Sequence, residues 1–152
     1  MDAIFQRHLD TIYRIACANT RHTADAEDVT QDVFLEYLRR QPKFESDEHE
    51  KAWFVRVTMH RSRDIFRTAW RRRVQLTDAQ IDTGAHTNSG NDSDMHAALL
   101  SLPANDRTIL YLYYYESADV QTIARMLKLS KSAVEKRLQR ARAKLKTILG
   151  GD

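Results

Sequence analysis

Apolar residues in this chain recur every three or four positions, a period that predicts amphipathic helices throughout. Residues 2–19 form the first predicted helix. Its apolar face consists of Ile4, Phe5, Leu9, Ile12, Tyr13 and Ala16. A second helix begins where Thr23 is placed to act as its cap, and it ends at Gln41 and Pro42. Its inner stripe consists of Ala26, Val29, Val33 and Tyr37. The two stripes predict helices that pack together.

The third predicted helix, residues 49–73, carries two stripes on opposite sides. The stripe predicted to be buried consists of Phe54, Thr58, Ser62, Ile65 and Ala69. The opposite stripe, which we call the basic ridge, consists of Arg56, His60, Arg63, Arg67 and Arg71. The pattern therefore predicts a helix that packs with one face and presents positive charge on the other.

Residues 74–94 lose the helical period and are rich in Thr, Ser, Asn, Asp and Gly, which predicts a linker. Helices resume over residues 95–102 and 104–115, with Pro103 where a first-turn proline is tolerated. Four tyrosines lie close together at the end of this stretch, at positions 111, 113, 114 and 115. Because one helix cannot bury all four, we expect some to pack inward and others to face a partner.

Residues 119–145, DVQTIARMLKLSKSAVEKRLQRARAKL, predict two helices joined by a three-residue turn. Asp119 caps the first helix and Ser130 caps the second. The second helix has an apolar stripe of Val134, Leu138, Ala141 and Leu145. Its outward positions are mostly basic or polar, namely Lys131, Ser132, Glu135, Lys136, Gln139 and Arg140. This is the pattern of a DNA-binding helix-turn-helix, although a solvated basic hairpin has a similar spacing.

Composition and charge narrow the class of protein. The chain has 152 residues with only four Gly and two Pro, which favours an all-α fold of two small helical domains, 1–73 and 95–152, joined by a flexible linker, 74–94. The formal net charge is +3, but residues 23–50 are acidic, whereas 51–73 and 128–146 are basic. This segregation predicts one protein-binding surface and two surfaces that bind polyanions.

Other features of the sequence argue against several classes of protein, namely disulfide-bonded, membrane-spanning, secreted and metal-binding ones. The single cysteine, Cys17, rules out an internal disulfide and fits the cytoplasm, and we expect it to be a small core residue. No apolar run approaches the ~20 residues of a membrane span, and the N-terminal pattern is not that of a signal peptide. The six histidines are scattered, without metal-ligand spacing, so no metal or cofactor is expected.

Five segments, in order along the chain, resemble the bacterial sigma-70 family, in its extracytoplasmic-function (ECF) group. DAEDVTQDVF, residues 25–34, is similar to the acidic helix of region 2. KAWFVRV and HRSRDIFRTAWRRR, residues 51–57 and 60–73, resemble the helix that opens and reads the minus-ten element. LLSLPANDRTIL, residues 99–110, and the helix-turn-helix resemble region 4, which reads the minus-35 element. The resemblance implies a non-catalytic protein that directs promoter recognition and transcription initiation by core RNA polymerase.

The resemblance also implies which residues serve each surface. The expected contacts with the polymerase β′ clamp helices are Asp25, Asp28, Gln31, Asp32 and Phe34. The basic ridge would serve the minus-ten element, and the outward residues of the recognition helix the minus-35 element. Region 4 would also sit on the polymerase β flap. An anti-sigma factor is a candidate partner for the tyrosines.

Three residues depart from the family pattern: His60 where Asn is frequent, Lys128 where the turn usually has Gly, and Glu135 where a basic residue is common. They affect the expected promoter preference. A stand-alone helix-turn-helix regulator is the alternative function, but it leaves the acidic helix and the basic ridge without a role. A phosphodiester-cleaving enzyme fits less well, because no histidine is paired with Asp25, Asp28 or Asp32.

Overall fold

The computed structural model describes residues 3–75 and 90–150, which are helical apart from short connections. The elements are α1 (Ala3–Ala18), α2 (Thr23–Arg40), α3 (Asp47–Gln75), α4 (Gly90–Leu100), α5 (Ala104–Leu110), a single-turn π-helix (Tyr111–Tyr115), α6 (Val120–Leu127) and α7 (Lys131–Gly150). The predicted all-α fold with two helical domains is confirmed. Helices α3 and α4 reach into the predicted linker, and its residues 76–89 lie outside the described ranges.

Helices α1, α2 and the first half of α3 form a three-helix bundle. Its core consists of Phe5, Ile12, Ala16, Ala26, Val29, Val33, Tyr37 and Phe54. Phe54 is fully buried, and its ring lies 5.0 Å from Trp53 and 5.4 Å from Tyr37. The side chain of Cys17 is partly buried against this core, where it was expected, and the rings of Trp53 are partly buried there too. The bundle therefore fixes the relative positions of the acidic α2 and the basic α3.

The second domain packs α4, α5, the π-helix, α6 and α7 around a core that also includes side chains of the first domain. Leu112, Ile123 and Met126 pack in one cluster with Val55 and Met59 of α3. Helix α3 therefore buries a second stripe, which includes Ala52, Val55 and Met59. The sequence analysis missed this stripe because it assigned α3 a single buried face.

Two of the three predicted helix caps are present. The Asp119 carboxylate accepts a hydrogen bond from the Thr122 backbone N–H (2.8 Å), and the Ser130 hydroxyl accepts one from the Ala133 N–H (3.0 Å). The predicted Thr23 cap is wrong. His22 is the N-cap residue, with an extended backbone, and Thr23 is already the first helical residue.

The tyrosine cluster lies on one wide turn rather than on a regular α-helix. Tyr111 and Tyr113 are half-buried, whereas Tyr114 and Tyr115 are 59% and 55% exposed, which agrees with the expected division. The hydroxyl of Tyr111 donates to Glu116 at 2.7 Å, and burial raises the pKa of Tyr111 above its usual value. The π-turn thus places Tyr111 at the boundary between the two domains.

Candidate polymerase and nucleic-acid interfaces

One face of α2 combines an exposed carboxylate and an exposed amide with two exposed leucines. Asp28 and Gln31 are exposed, and Leu35 and Leu38 are 56% and 46% exposed. These four residues, which we call the α2 stripe, follow steps of three, four and three and so share a face. The two leucines were not among the predicted docking residues. Their positions, one and two turns beyond Gln31, could have indicated that they share its face of the helix.

The other predicted docking residues lie beside the α2 stripe. Asp25 and Asp32 are half-buried at its edge. Within the described ranges, the carboxylates of Asp25, Asp28 and Asp32 form no ion pair. The ring of Phe34 lies 4.7 Å from that of Phe5, so Phe34 is engaged mainly in joining α2 to α1.

A buried carboxylate joins α2 to α3. Glu36 is nearly inaccessible and accepts hydrogen bonds from Arg39 (2.7 Å), Arg61 (2.6 Å) and Arg40. The hydrogen bond from Arg39, with those from Arg40 and Arg61, lowers the pKa of Glu36 to about 2. Because Arg61 belongs to α3, this cluster fixes the angle between the two helices.

The basic ridge of α3 is divided by the second domain. Arg56 donates to the backbone carbonyl of Met126 in α6 at 2.7 Å, and its burial lowers its pKa. His60, Arg63 and Arg67 are exposed. The side chain of Arg71 lies outside the described part. Arg56 differs from Arg63 and Arg67 because it lies within the part of α3, from Ala52 to Met59, that packs against the second domain, whereas they lie further along the helix.

The helix-turn-helix presents most of its predicted contact residues to solvent. Lys131, Ser132, Glu135, Lys136 and Gln139 are exposed, whereas Val134 and Leu138 are buried beneath them. Glu135 pairs neither with Lys131 nor with Gln139, and no other described residue forms an ion pair with it. Lys128, in the turn, adopts a left-handed backbone with φ 59° and ψ 45°.

Arg140 is held by an acid that the sequence analysis did not single out. Its Nη2 donates to both carboxylate oxygens of Asp106 at 3.2 Å, and Arg137 Nη1 donates to Oδ1 of the same group at 3.2 Å. Asp106 is 1% exposed, whereas Arg140 remains 57% exposed. Because Asp106 is a single acid in the first turn of α5, nothing in the sequence indicated that it would contact α7.

Polar contacts join the two domains around their shared core. Glu116 accepts hydrogen bonds from Thr11 (3.0 Å) and Lys51. Arg125 of α6 donates to both carboxylate oxygens of Glu48 at 2.8 and 3.0 Å. Buried Arg107 donates to the Asn19 side chain at 2.8 Å. The first helix of the helix-turn-helix is therefore docked on α3.

No group of three or more His, Cys, Asp or Glu side chains that could hold a metal ion occurs within residues 3–75 and 90–150. No helix in those ranges is long and apolar enough to cross a membrane.

An exposed basic helix that follows a capped turn, on a core that supports it from beneath, defines a helix-turn-helix protein of the DNA-binding class. Two family models match this chain, and they agree with the DNA-binding class and narrow it to one family. Residues 4–72 match the model of sigma-70 region 2, and residues 93–145 match the model of sigma-70 region 4. This chain belongs to the sigma-70 family, in the ECF group.

Two curated relatives illustrate the similarity. The probable RNA polymerase sigma factor RfaY of Xanthomonas campestris pv. campestris is 32% identical over 151 residues, which cover 92% of this chain and 38% of RfaY. The ECF RNA polymerase sigma factor SigM of Mycobacterium tuberculosis is 28% identical over 158 residues, which cover 98% of this chain and 76% of SigM.

Two solved structures have a similar fold. The sigma factor RpoE of Bartonella quintana, in complex with the anti-sigma factor NepR, has a TM-score of 0.73 and 23% identity, covering 95% of this chain and 92% of RpoE. CnrH, in complex with the cytosolic domain of CnrY, has a TM-score of 0.67 and 25% identity, covering 97% of this chain and 85% of CnrH.

Proposed function

We propose that this protein binds core RNA polymerase in the cytoplasm and directs it to promoters, without itself catalysing a reaction. One observation carries the proposal. A single chain presents an acidic and apolar stripe on α2, a basic ridge on α3 and an exposed recognition helix on α7. A stand-alone DNA-binding regulator requires only the last of these three surfaces.

The α2 stripe is the proposed contact with the β′ clamp helices of the polymerase. Asp28 has no internal partner among the described residues, so its charge is available to a basic surface. Leu35 and Leu38 add apolar area that has no use in the isolated chain. Complementary charge would speed docking and reject wrong partners, and the leucines would contribute affinity when buried.

The basic ridge is the proposed contact with the minus-ten element. The exposed guanidiniums of Arg63 and Arg67 are placed to neutralise phosphates along one strand. Bases drawn from the stack would be held by ring stacking and by contacts to their edges. Arg56 can join this surface only after its bond to the Met126 carbonyl is broken. We therefore propose that α6 leaves α3 when the promoter is bound.

The recognition helix is the proposed contact with the minus-35 element. Lys136 and Arg140 suit guanine or phosphate, and Glu135 suits the amino group of cytosine. In this account the second domain also sits on the β flap of the polymerase.

An anti-sigma factor is a further proposed partner. Exposed Tyr114 and Tyr115 border an apolar groove of about 580 Å³, which is also lined by Met95, Leu99 and Leu145. Such a groove suits the apolar face of a partner helix. RpoE and CnrH were both solved with protein partners, which supports this assignment.

A binding experiment separates the proposal from the alternative of a stand-alone regulator. Purified protein is tested for binding to genomic promoter fragments with and without core polymerase. We expect sequence-specific complexes only when core polymerase is present. Equally specific binding by the protein alone would favour the regulator and contradict the proposal.

A further inference from the structure

Asp106 is a buried acid that faces the recognition helix. It lies in the first turn of α5, and only 1% of its side chain is exposed. Among the described residues, its salt-bridge partners are Arg137 and Arg140 of α7, and no lysine or histidine of those ranges lies within ion-pair distance of it. A buried carboxylate is costly unless it is paired, so the position of this acid constrains both arginines.

The two arginines are held differently. Arg137 is 30% exposed and lies toward the protein side of α7. Arg140 is 57% exposed and lies one turn after Lys136 on the outward half of the helix. Only Nη2 of Arg140 is used by Asp106, through one hydrogen bond to each carboxylate oxygen. Its Nε and Nη1 have no partner in the described part of the chain.

The contact with Asp106 fixes the position of the Arg140 guanidinium but leaves its other two nitrogens free to donate hydrogen bonds. The guanidinium is planar and rigid, so anchoring one nitrogen restricts the directions in which the other two can donate. A long, freely rotating arginine on a helix surface reaches any nearby phosphate, whereas an anchored one is restricted to fewer partners. The negative charge of Asp106 also opposes non-specific attraction to the phosphate backbone.

We propose that Asp106 is a positioning residue for promoter reading: it orients Arg140 so that its free N–H groups meet one base or phosphate of the minus-35 element. Asp106 thereby increases discrimination between sequences and decreases affinity for DNA in general. This inference rests on the proposed function of α7 as the recognition helix.

The rival explanation is that Asp106 only joins α5 to α7. The two explanations differ in what happens to specificity. A purely structural clasp, once removed, weakens binding to all DNA in proportion to the lost folded protein. A positioning residue, once removed, lowers the ratio of specific to non-specific affinity even in protein that remains folded.

The test uses the full chain assembled with core polymerase and fluorescent promoter duplexes with either the native or a shuffled minus-35 element. Asp106→Asn keeps the side-chain shape and removes the charge. We expect the ratio of the two affinities to fall about fivefold or more, in the range of one lost base contact. Affinity for the shuffled duplex should be unchanged or higher. Circular dichroism and the thermal midpoint report whether the variant is folded.

A double mutant links the effect to Arg140. Arg140→Ala alone should also lower the ratio, and Asp106→Asn should cause no further loss in that background, because it acts through Arg140. If Asp106→Asn does not fold, Arg140→Lys serves instead. It leaves the buried acid an ionic partner but lacks the rigid fork, and it should lower the ratio similarly.

Three outcomes would overturn the inference. They are a proportional loss of both affinities, a further loss in the Arg140→Ala background, and an Arg140→Lys variant with the full native ratio. A wild-type holoenzyme without any preference for the native minus-35 element would instead contradict the proposed function itself. The two failures are therefore distinguishable.

Discussion

Lys128 holds the turn of the helix-turn-helix in a backbone conformation that disfavours its own side chain. Its φ of 59° lies in the left-handed region, where residues with a Cβ atom are strained by roughly 1–2 kcal/mol. The Leu129 N–H still donates to the Ala124 carbonyl at 2.9 Å, so the turn closes despite this cost. The sequence predicted the turn as the break between two helical patterns, with Lys128 as a departure from the glycine that is usual there.

Lys128→Gly should therefore stabilise the protein. We expect a gain of about 0.5–1 kcal/mol in the free energy of unfolding, since relief of strain exceeds the extra chain entropy of glycine. The urea midpoint measures it. Lys136→Gly is the matched control, because it makes the same change on a helical backbone and should destabilise by about 1 kcal/mol. A destabilising Lys128→Gly would show that the turn is not strained.

Glu135 poses a separate question at the residue scale. It is exposed without an ion-pair partner among the described residues, so no pairing along the helix with Lys131 or Gln139 offsets its repulsion of phosphate. A hydrogen bond to a DNA base is the remaining interaction that would offset this repulsion. Glu135→Gln should relax preference at one position of a randomised minus-35 library, a change of about 1–3 kcal/mol, and leave the other positions unaltered. A uniform rise in affinity for all sequences would eliminate Glu135 as a base reader.

At the scale of elements, most helices followed from the sequence because their apolar stripes are regular. The predicted inner stripes of α1 and α2 are largely buried, and Phe54, Thr58 and Ser62 of α3 are buried as predicted. The second stripe of α3 could not be predicted, because its burial depends on a tertiary contact with α6 and its presence blurs the helical period. The Asp106 contact was missed for the same reason.

Glu36 connects two functional helices, and its stability contribution depends on pH. Its pKa is about 2 in the folded chain against 4.5 normally, so the stabilisation is present above pH 4.5 and is lost as pH falls toward 2. Arg39 and Arg40 are largely exposed, so solvent screening reduces the effect to about 1–2 kcal/mol.

Glu36→Gln should therefore lower the urea midpoint at pH 7, and its midpoint should approach the wild-type value only near pH 2. The control is Asp10→Asn, which removes an exposed pair with Arg14 and should change little at either pH. A deficit of equal size at both pH values would show that the carboxylate charge is not the cause.

The α2 stripe makes a prediction about polymerase binding. Asp28→Lys combined with Gln31→Ala should weaken binding to core polymerase at least tenfold without loss of helicity, because both side chains point away from the bundle. Leu35→Ser with Leu38→Ser should do the same through lost apolar contact. Competition against a labelled sigma factor measures both. Asp10→Lys, an acid-to-base change on α1, is the control, and wild-type affinity in the α2 variants would remove the stripe from the interface.

At the scale of the whole molecule, the two domains form one packed unit in the isolated chain. The shared core and the bonds of Glu116 and Arg107 hold the second domain against the first, and the bond between Arg125 and Glu48 holds α6 against α3. Promoter elements about 17 base pairs apart lie roughly 58 Å apart along the DNA axis. The fourteen residues between Gln75 and Gly90 can span at most about 50 Å, so the domains themselves must cover the remainder. The linker alone therefore cannot span both elements, and the proposed release of α6 from α3 would help the two domains to reach them.

The sequence indicated two domains from their separate helical patterns, but it gave no sign that they pack together. The residues that join them, such as Glu48 and Arg125, are 77 positions apart. In its own stretch of sequence, each of these two residues looks like an ordinary charged surface residue. Only the tertiary structure brings them within hydrogen-bond distance, which is why the covered state of Arg56 was not foreseen.

Run-off transcription from a genomic promoter library shows whether this protein directs core polymerase to specific promoters. Core polymerase is incubated with this protein, and the transcript starts are mapped by sequencing. The account predicts new, discrete start sites that depend on the protein and share two upstream motifs about 17 base pairs apart. Transcripts no different from those of core polymerase alone, in a preparation that binds specific DNA without polymerase, would contradict it.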